Sequence, residues 1–299
     1  MVETKAAYQS YLWGGDRMKT LFSKQDAPSP LAESWELSTH PDGMTTVQGE
    51  RLTDYLKRTA GFSTLPVLVK LIDAAKPLSV QVHPTDAAAA PLGERGKTEA
   101  WHILAAEEGA SLYLGVREPI SKAAFLQKVQ DGTVEEVLNR VPIRAGETYF
   151  VPAGVLHAIG KGIVLLEVQQ SSNLTYRVYD YGRLDRDGNP RPLHVEQALS
   201  VAVLEPMEGT KPISRAKGQG KVLVDCPYFS LEAYSGEDRS FRFDSDDYRF
   251  LFVTEGAFSV CDGKEERSFR AGQGVLLVQG EHVTASGSGC IMSIQDGTV

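Results

Sequence analysis

Four side chains of the types that bind divalent cations fall in three short segments of this 299-residue sequence. Gln81 and His83 lie two residues apart in the run QVHP, Glu99 ends the run KTE, and His157 ends the run GETYFVPAGVLH. Residues two apart in a strand project from the same face, so Gln81 and His83 are predicted to reach a single ion. Two imidazoles, a carboxylate and an amide oxygen suit Zn²⁺, with Fe²⁺, Mn²⁺ or Co²⁺ as alternatives.

The spacing of turn residues around His157 indicates how that ligand is positioned. Gly146, Pro152 and Gly154 precede His157 in a pattern similar to the second half of the cupin signature, and QVHP followed by Glu99 is similar to its first half. The resemblance implies a small β-barrel that directs these ligands into its own mouth. His40, His102 and His194 lie outside the pattern and are interpreted as structural.

The rest of the chain indicates a mainly β fold. Turn residues recur about every ten positions, which is typical of a sandwich or barrel. The β-rich runs between them are Pro66–Ile72, Leu78–His83, Trp101–Leu104, Ser111–Leu114, Thr148–Val151 and Ile163–Val168. Helical periodicity predicts a two-helix insert at about 118–141, made of Ser121–Gln130 and Thr133–Val141, and further helices at Arg51–Thr59 and His194–Leu204.

The distribution of Pro, Gly and Lys predicts two domains. Residues 206–220 lack apolar periodicity and are interpreted as a linker between a catalytic domain, 1–205, and a C-terminal domain, 221–299. The run RAG, an apolar stretch and Gly154 recur 126 residues later as RAG, an apolar stretch and Gly280. Val283 then takes the place of His157, with His282 one residue out of register, so the second unit is predicted to lack a metal. The expected fold is two cupin (jelly-roll) barrels with a small helical insert.

Composition excludes several classes of function. The net charge of −8, without a compact Lys/Arg cluster, makes a nucleic-acid partner or an anionic membrane improbable, although a few cations inside a cleft can still bind an anionic substrate. The sequence has no apolar run long enough to span a bilayer. Its three cysteines, without CxxC spacing, are typical of reduced thiols, so we expect a cytoplasmic protein.

Taken together, these motifs resemble the type I mannose-6-phosphate isomerases, in particular the short bacterial form. The resemblance rests on QVHP, KTE, VPAGVLHA, TYRVYDY at 175–181, and the early runs WGG and AESWE, and it is strong from about residue 7 to 200. It implies a zinc enzyme, with one Zn²⁺ per chain, that interconverts mannose 6-phosphate and fructose 6-phosphate.

The same resemblance implies roles for particular residues. Gln81, His83, Glu99 and His157 correspond to metal positions, with three protein ligands plus water as the alternative to Gln81, and Arg177 falls on the family's catalytic arginine. Ser79, Lys97 and Glu167 fall on pocket positions. Trp13, Trp35 and Trp101 are interpreted as core packing, with walls of the sugar pocket as the alternative. Glu33 and Glu36 are candidates for the lining or the rim of the cleft and receive no further role.

Aldose–ketose isomerisation passes through a cis-enediolate and therefore needs a base and stabilisation of negative charge. Glu167, Lys97 and a metal-bound water remain alternatives for the base, and burial that raises a carboxyl pKa favours Glu167. Arg177 and Lys97 would bind phosphate or the developing charge. The other hypotheses are a cupin oxygenase with a redox metal and a non-catalytic sugar-binding cupin. We expect a monomer or a small homo-oligomer with a small sugar phosphate as its partner.

Overall fold

The β-rich runs form three large antiparallel sheets and one two-stranded sheet in the computed structural model, which describes residues 1–185, 187–207, 213–214 and 218–297. The strands are β1 (Val2–Glu3), β2 (Ala7–Gln9), β3 (Glu33–Leu37), β4 (Thr46–Val47), β5 (Glu50–Arg51), β6 (Val67–Ala74), β7 (Val80–Val82), β8 (Glu99–Ala106), β9 (Ser111–Val116), β10 (Leu138–Pro142), β11 (Glu147–Val151), β12 (His157–Ile159), β13 (Ile163–Gln170), β14 (Tyr176–Tyr179), β15 (Ile213–Ser214), β16 (Gly218–Cys226), β17 (Phe229–Asp244), β18 (Tyr248–Cys261), β19 (Glu266–Arg270), β20 (Gly274–Val278) and β21 (His282–Gln295).

Short helices connect these strands. They are α1 (Arg17–Leu21), α2 (Leu52–Thr59), α3 (Asp86–Ala89), α4 (Lys122–Gln130) and α5 (Val195–Val201), together with 3₁₀ turns at Ala90–Leu92 and Val134–Val137. The predicted helices 51–59 and 194–204 are confirmed as α2 and the shorter α5. None of the helices in the described part of the chain is long and apolar enough to cross a membrane.

Three sheets make up the layers of the molecule. The central sheet has the order β15-β11-β8-β13-β6-β3-β2, and the front sheet has the order β10-β9-β12-β7-β14. The back sheet has the order β1-β20-β18-β21-β17-β16, with β19 beside β18. Side chains alternate across each strand, so the central sheet presents one face to the front sheet and the other to the back sheet.

The central sheet is buried on both faces. Between it and the front sheet, one apolar cluster joins Ile72, Trp101 and Leu165 to Leu114 and Ile159. A second cluster packs its other face against the back sheet, and includes Val67, Val69, Leu71, Leu166, Val168, Leu231, Phe250, Phe252 and Met292. Burial on both faces explains why all eight residues of β6 are buried, and it makes the charged members of that strand conspicuous.

The predicted two-helix insert is half wrong. Its first helix is confirmed as α4, which begins after Ser121, whose Oγ accepts from the backbone N of Ala124 at 3.2 Å. The second, 133–141, is a 3₁₀ turn followed by β10, which pairs along β9 at the edge of the front sheet. Pairing with β9 forms the backbone hydrogen bonds of this segment and buries Leu138. These interactions stabilise the strand more than so short a helix would be stabilised by its weak helical periodicity.

The chain's first strand contributes to the back sheet, because Val2 pairs with Leu276 in β20. Most of the predicted linker, 206–220, lies outside the described residues. Of its described parts, Ile213–Ser214 pairs with Glu147 and Thr148 at the edge of the central sheet. The division into 1–205 and 221–299 stays a prediction.

The internal sequence echo has a structural counterpart. Gly146 and Gly272 have φ of 90° and 91°, and Gly154 and Gly280 have φ of 90° and 80°, all in the left-handed region that favours glycine. Val283 is buried whereas His282 is exposed, which confirms the predicted difference in register at the position that corresponds to His157.

Replacing Phe252 with Ala tests the packing of the back sheet on the central sheet. Phe252 is fully buried in their shared cluster, so we expect the free energy of unfolding to fall by about 3–5 kcal/mol. Denaturant unfolding measures this change. The matched control is Val222→Ala at an exposed strand position, which should change stability by less than about 0.5 kcal/mol. Equal effects of the two substitutions would contradict the proposed packing.

Candidate active site

Pairing in the front sheet brings three of the predicted site residues into one row. Gln81 of β7 lies directly opposite His157 of β12 on one side and Arg177 of β14 on the other. Directly opposed residues share a face, so their side chains all point toward the central sheet. His83 follows β7 two residues after Gln81 and presents its ring to His157, with the ring centroids 4.8 Å apart.

Pairing in the central sheet builds the opposing row. Trp35, Lys70, Glu167, Trp101 and Tyr149 lie opposite one another across β3, β6, β13, β8 and β11. The same face carries the residues two positions away from the two tryptophans, namely Glu33 on β3 and Glu99 on β8. The two rows meet where Glu99 lies close to the two histidines.

His83, Glu99 and His157 form a buried group whose ligand atoms all lie within 4.8 Å of one another. His83 Nε2 is 3.2 Å from Glu99 Oε1, and His157 Nε2 is 3.7 Å from Glu99 Oε2. Each of these side chains is about 1% exposed. Glu99 Oε2 has no hydrogen-bond partner among the described residues. A buried carboxylate oxygen without a donor is costly unless a cation compensates it.

The tautomers of the two histidines fit a cation at this position. His83 Nδ1 donates to the carbonyl oxygen of Leu174 at 2.9 Å, and His157 Nδ1 donates to that of Val155 at 2.9 Å. Both Nε2 atoms therefore carry their lone pairs on the side near Glu99, where the Gln81 amide and the Lys97 ammonium lie beside them and where a divalent cation could bind all three side chains. A carbonyl that fixes the ring tautomer is the usual outer partner of a metal-binding histidine.

Electrostatics keep these groups in the protonation states that metal binding requires. Burial, followed by the nearby Lys97 ammonium, lowers the pKa of His83 to about 3. Burial also lowers the pKa of His157. Although burial opposes it, the Lys97 ammonium holds the pKa of Glu99 well below its usual range. The site therefore offers two neutral imidazoles and one carboxylate near neutral pH.

Lys97 lies against this group. Its Nζ donates to Glu99 Oε1 and is 3.3 Å from His83 Nε2. Gln81 is also adjacent, because its Nε2 donates to His157 Nε2 at 3.3 Å and its Oε1 accepts from Ser79 Oγ at 3.4 Å. The amide nitrogen of Gln81 therefore faces His157, and its amide oxygen faces Ser79.

A pocket of about 280 Å³ opens beside this group. Four cations line it: Lys70, Lys97, Arg177 and Arg191. The other lining residues are Tyr11, Trp13, Glu33, Ile72, Leu78, Ser79, Gln81, Ile159, Glu167, Asn173 and Thr175. A small pocket with this charge distribution suits a small anionic ligand, in spite of the acidic chain as a whole.

The two arginines of the pocket are held differently. Arg177 donates from one terminal nitrogen to the carbonyl oxygen of Pro192 at 2.9 Å, and its Nε is buried without a partner among the described residues. Arg191 donates twice to the carboxylate of Asp180, at 2.6 and 2.5 Å, and Arg183 donates to the same carboxylate. Asp180 thus fixes the loop that carries Arg191 at the pocket wall.

The structure brings every residue of the predicted site together. Ser79, Gln81, Lys97, Glu167 and Arg177 line the pocket, and His83, Glu99 and His157 form the buried group beside it. The interpretation of Trp13 as core packing was incomplete, since Trp13 is only 5% exposed and also lines the pocket.

Sequence reasoning missed two charged lining residues, Lys70 and Arg191, and gave Glu33, which lies in the run AESWE, no further role. A signal was available for Lys70, since a lysine inside the apolar run PVLVKLI is unusual. Arg191 carries no comparable signal, because its position depends on the fold of a loop.

Comparisons with known proteins agree with this geometry. A family model for the catalytic domain of type I phosphomannose isomerase matches residues 1–102. A mannose-6-phosphate isomerase from Streptococcus mutans is 35% identical over 280 residues, which cover 89% of this chain and 88% of that protein.

Solved structures give the same result for the fold. The crystal structure of the mannose 6-phosphate isomerase from Bacillus subtilis matches with a TM-score of 0.90 and 30% identity, and the match covers 98% of this chain and 99% of that one. A mannose 6-phosphate isomerase bound with zinc and yttrium matches over the full length of both chains, with a TM-score of 0.78. At 19% identity the second match supports the fold alone.

The fold and these relatives define a metal-dependent isomerase of the cupin class. Within that class, the chain belongs to the mannose-6-phosphate isomerase family. The expected fold class, enzyme class and family are therefore confirmed, and neither the oxygenase nor the non-catalytic binding module is favoured.

Replacing His157 with Ala tests the metal centre directly. The substitution removes one of two converging imidazole lone pairs, so we expect at least about a tenfold loss of affinity for Zn²⁺. Titration of chelator-stripped protein with Zn²⁺ measures this. His282→Ala, at an exposed position of the back sheet next to the residue that corresponds to His157, is the control and should leave the affinity unchanged. Full Zn²⁺ affinity in His157→Ala would show that the ion binds elsewhere.

Proposed function

We propose that this chain interconverts mannose 6-phosphate and fructose 6-phosphate in the pocket described above, with one Zn²⁺ bound per chain. The observation that carries the proposal is the position of the His83–Glu99–His157 group beside a pocket lined by four cations. A sugar phosphate needs cations for its phosphate, and isomerisation needs an electrophile and a base near C1 and C2.

His83, Glu99 and His157 would hold the metal, since their donor atoms converge and Glu99 Oε2 has no other partner among the described residues. Gln81 would become a fourth ligand if its amide turned to present oxygen instead of nitrogen. When bound, Zn²⁺ supplies Lewis-acid polarisation of the sugar carbonyl and a fixed template for two oxygens.

Arg177 and Arg191 are the residues proposed to bind the phosphate. Guanidinium groups bind phosphate oxygens through paired N–H donors, and the Nε of Arg177 has no partner among the described residues. Asp180 holds Arg191 in place and leaves its charge at the wall of the pocket. The Ser79 hydroxyl lies near Gln81 and would orient a sugar hydroxyl.

Glu167 is the proposed base. Its Oε1 accepts from the Trp101 indole N–H at 2.9 Å, whereas its Oε2 is buried without a hydrogen-bond partner among the described residues. Burial, and then the negative charge of Glu99, raises the pKa of Glu167. A carboxylate with a raised pKa is well matched to accept a proton from carbon near neutral pH. Lys97 is less suited, because its ammonium pairs with Glu99 and has no lone pair to offer.

The proton transfers balance with these residues. Glu167 takes the proton from C2 of the open-chain aldose, the C–H electron pair forms the C1–C2 double bond, and O1 becomes negative. The proton then returns from Glu167 to C1, while the O2 proton moves to O1 and leaves a C2 carbonyl. The Lys97 ammonium lies beside His83. It would stabilise the enediolate oxygens and assist the transfer of the proton from O2 to O1.

Two further expectations remain part of this proposal. The three cysteines are thiols rather than disulfides in the structure, which is typical of a reducing compartment and supports a cytoplasmic location. A monomer or a small homo-oligomer remains the expected state, and light scattering coupled to gel filtration distinguishes the two.

A coupled assay for fructose 6-phosphate tests the function. Chelator-stripped protein should convert mannose 6-phosphate only after Zn²⁺ is restored. Unphosphorylated mannose is the matched control substrate, and it should react far more slowly because it lacks the group that the two arginines bind. Absence of turnover with Zn²⁺, Mn²⁺, Co²⁺ or Fe²⁺ would overturn the proposed reaction.

The pH dependence tests the role of Glu167. A base must be ionised, so activity should fall as the pH drops through the raised pKa of Glu167, which lies above its ordinary value of 4.5. Glu167→Gln should lower kcat by about 10²–10⁴. Glu36→Gln, a buried glutamate on the opposite face of β3, should retain kcat. Unchanged kcat in Glu167→Gln would exclude Glu167 as the base.

A further inference from the structure

A buried lysine with no role in the proposed chemistry lies at the floor of the pocket. Lys70 is 3% exposed, and its Nζ is 3.5 Å from Glu33 Oε2 and 3.6 Å from Glu167 Oε2. The ammonium also lies 4.5 Å from the centre of the Trp35 ring. A buried ammonium is expensive to desolvate, and an apolar residue would fill the same position, between Val69 and Leu71, without that cost.

Each of the two carboxylates beside Lys70 receives one indole N–H. Trp35 donates to Glu33 Oε2 at 2.7 Å, and Trp101 donates to Glu167 Oε1 at 2.9 Å. Lys70 is thus shared by two similarly held carboxylates at nearly equal distances. One cation between two anions leaves this cluster with one net negative charge when both carboxylates are ionised.

The cluster is placed by strand register. Lys70 pairs directly with Trp35 on one side and with Glu167 on the other, and Glu33 follows on the same face. Other charged groups facing Glu167 are Lys97 and Glu99 from β8 and its preceding loop, with Arg177 and Arg191 lining the same pocket. Within the described residues, Lys70 is the cation that forms an ion pair with Glu167.

We propose that Lys70 is a positioning residue that keeps Glu167 ionised and oriented toward the substrate, and that Glu33 retains the Lys70 ammonium when Glu167 takes up the substrate proton. The inference rests on the proposed function. While Glu167 is charged, the Lys70 ammonium offsets the free-energy cost of burying its carboxylate. Once Glu167 is neutral, the ammonium still faces Glu33, so proton transfer leaves no unpaired buried cation.

A second buried lysine, which pairs with a glutamate of β3, offers a matched control. Lys24 is also buried, at 7% exposure, and its Nζ lies 2.8 Å from Glu36 Oε1. Ser34, on the opposite face of β3 from Trp35, donates to Glu36 Oε1 at 2.6 Å, and Lys24 also donates to the carbonyl oxygen of Gly272, so this pair lies on the face away from the pocket. Lys24→Met therefore removes a buried lysine from a carboxylate without touching the pocket.

The test compares Lys70→Met, Glu33→Gln and Lys24→Met in the Zn²⁺-loaded protein. For each variant, the experiment measures kcat and KM for mannose 6-phosphate, the amount of bound zinc, and the rate with substrate deuterated at C2. For Lys70→Met we expect about a 10²-fold loss of kcat, KM within about threefold, unchanged zinc and an increased isotope effect. Glu33→Gln should show a smaller loss of the same kind, and Lys24→Met should lower stability while kcat is retained.

Other outcomes would overturn the inference. A rise of KM at constant kcat would make Lys70 a substrate contact, and equal kcat for Lys70→Met and Lys24→Met would make it structural. If Lys70→Met fails to fold, the nearly isosteric Glu33→Gln decides, and unchanged kcat there refutes the proposal. A wild-type enzyme without turnover refutes the proposed function itself, which separates that failure from failure of the inference.

Discussion

The burial of one carboxylate between two imidazole lone pairs is the constraint on which the site depends. Glu99 accepts from Lys97, but its second oxygen has no donor within the described residues, and both neighbouring histidines are held in the tautomer that cannot supply one. The Lys97 ammonium compensates one oxygen, and the second is costly to bury unless a further cation compensates it. The backbone carbonyls of Leu174 and Val155 determine which imidazole nitrogens face Glu99, so they orient the proposed metal ligands without being ligands themselves.

Rigidity of the central sheet follows from burial of both of its faces. Its back face packs on the back sheet through a large apolar cluster beside the buried Lys24–Glu36 pair, while its front face carries the row from Trp35 to Tyr149. Strand pairing fixes the lateral spacing of Lys70 and Glu167 in that row, and tight packing behind them limits rearrangement. The back sheet thus supports catalysis without contributing a proposed catalytic side chain, since preorganised charges need a scaffold that does not relax.

Local sequence patterns were sufficient to predict the candidate ligands and the start of the insert helix. Glu99 and His157 stand in motifs whose spacing is characteristic, and Ser121 is a helix cap that the structure confirms. The second insert helix was wrong because pairing with β9 is a long-range interaction without a local signal. Arg191 was missed for the same reason, since its place at the pocket depends on a loop held by Asp180. Local patterns predict elements and ligands, whereas register and loop closure depend on tertiary contacts.

The pairing of the chain's first strand with β20 has a consequence for the order of folding. Val2 faces Leu276, so this contact joins positions separated by 274 residues. During synthesis Val2 is made long before Leu276, because the residues between them must be added first. The edge of the back sheet therefore closes late, and until then it exposes unpaired backbone groups to other chains. Aggregation during expression should accordingly be most sensitive to substitutions at these two short strands, which are remote from the chemistry.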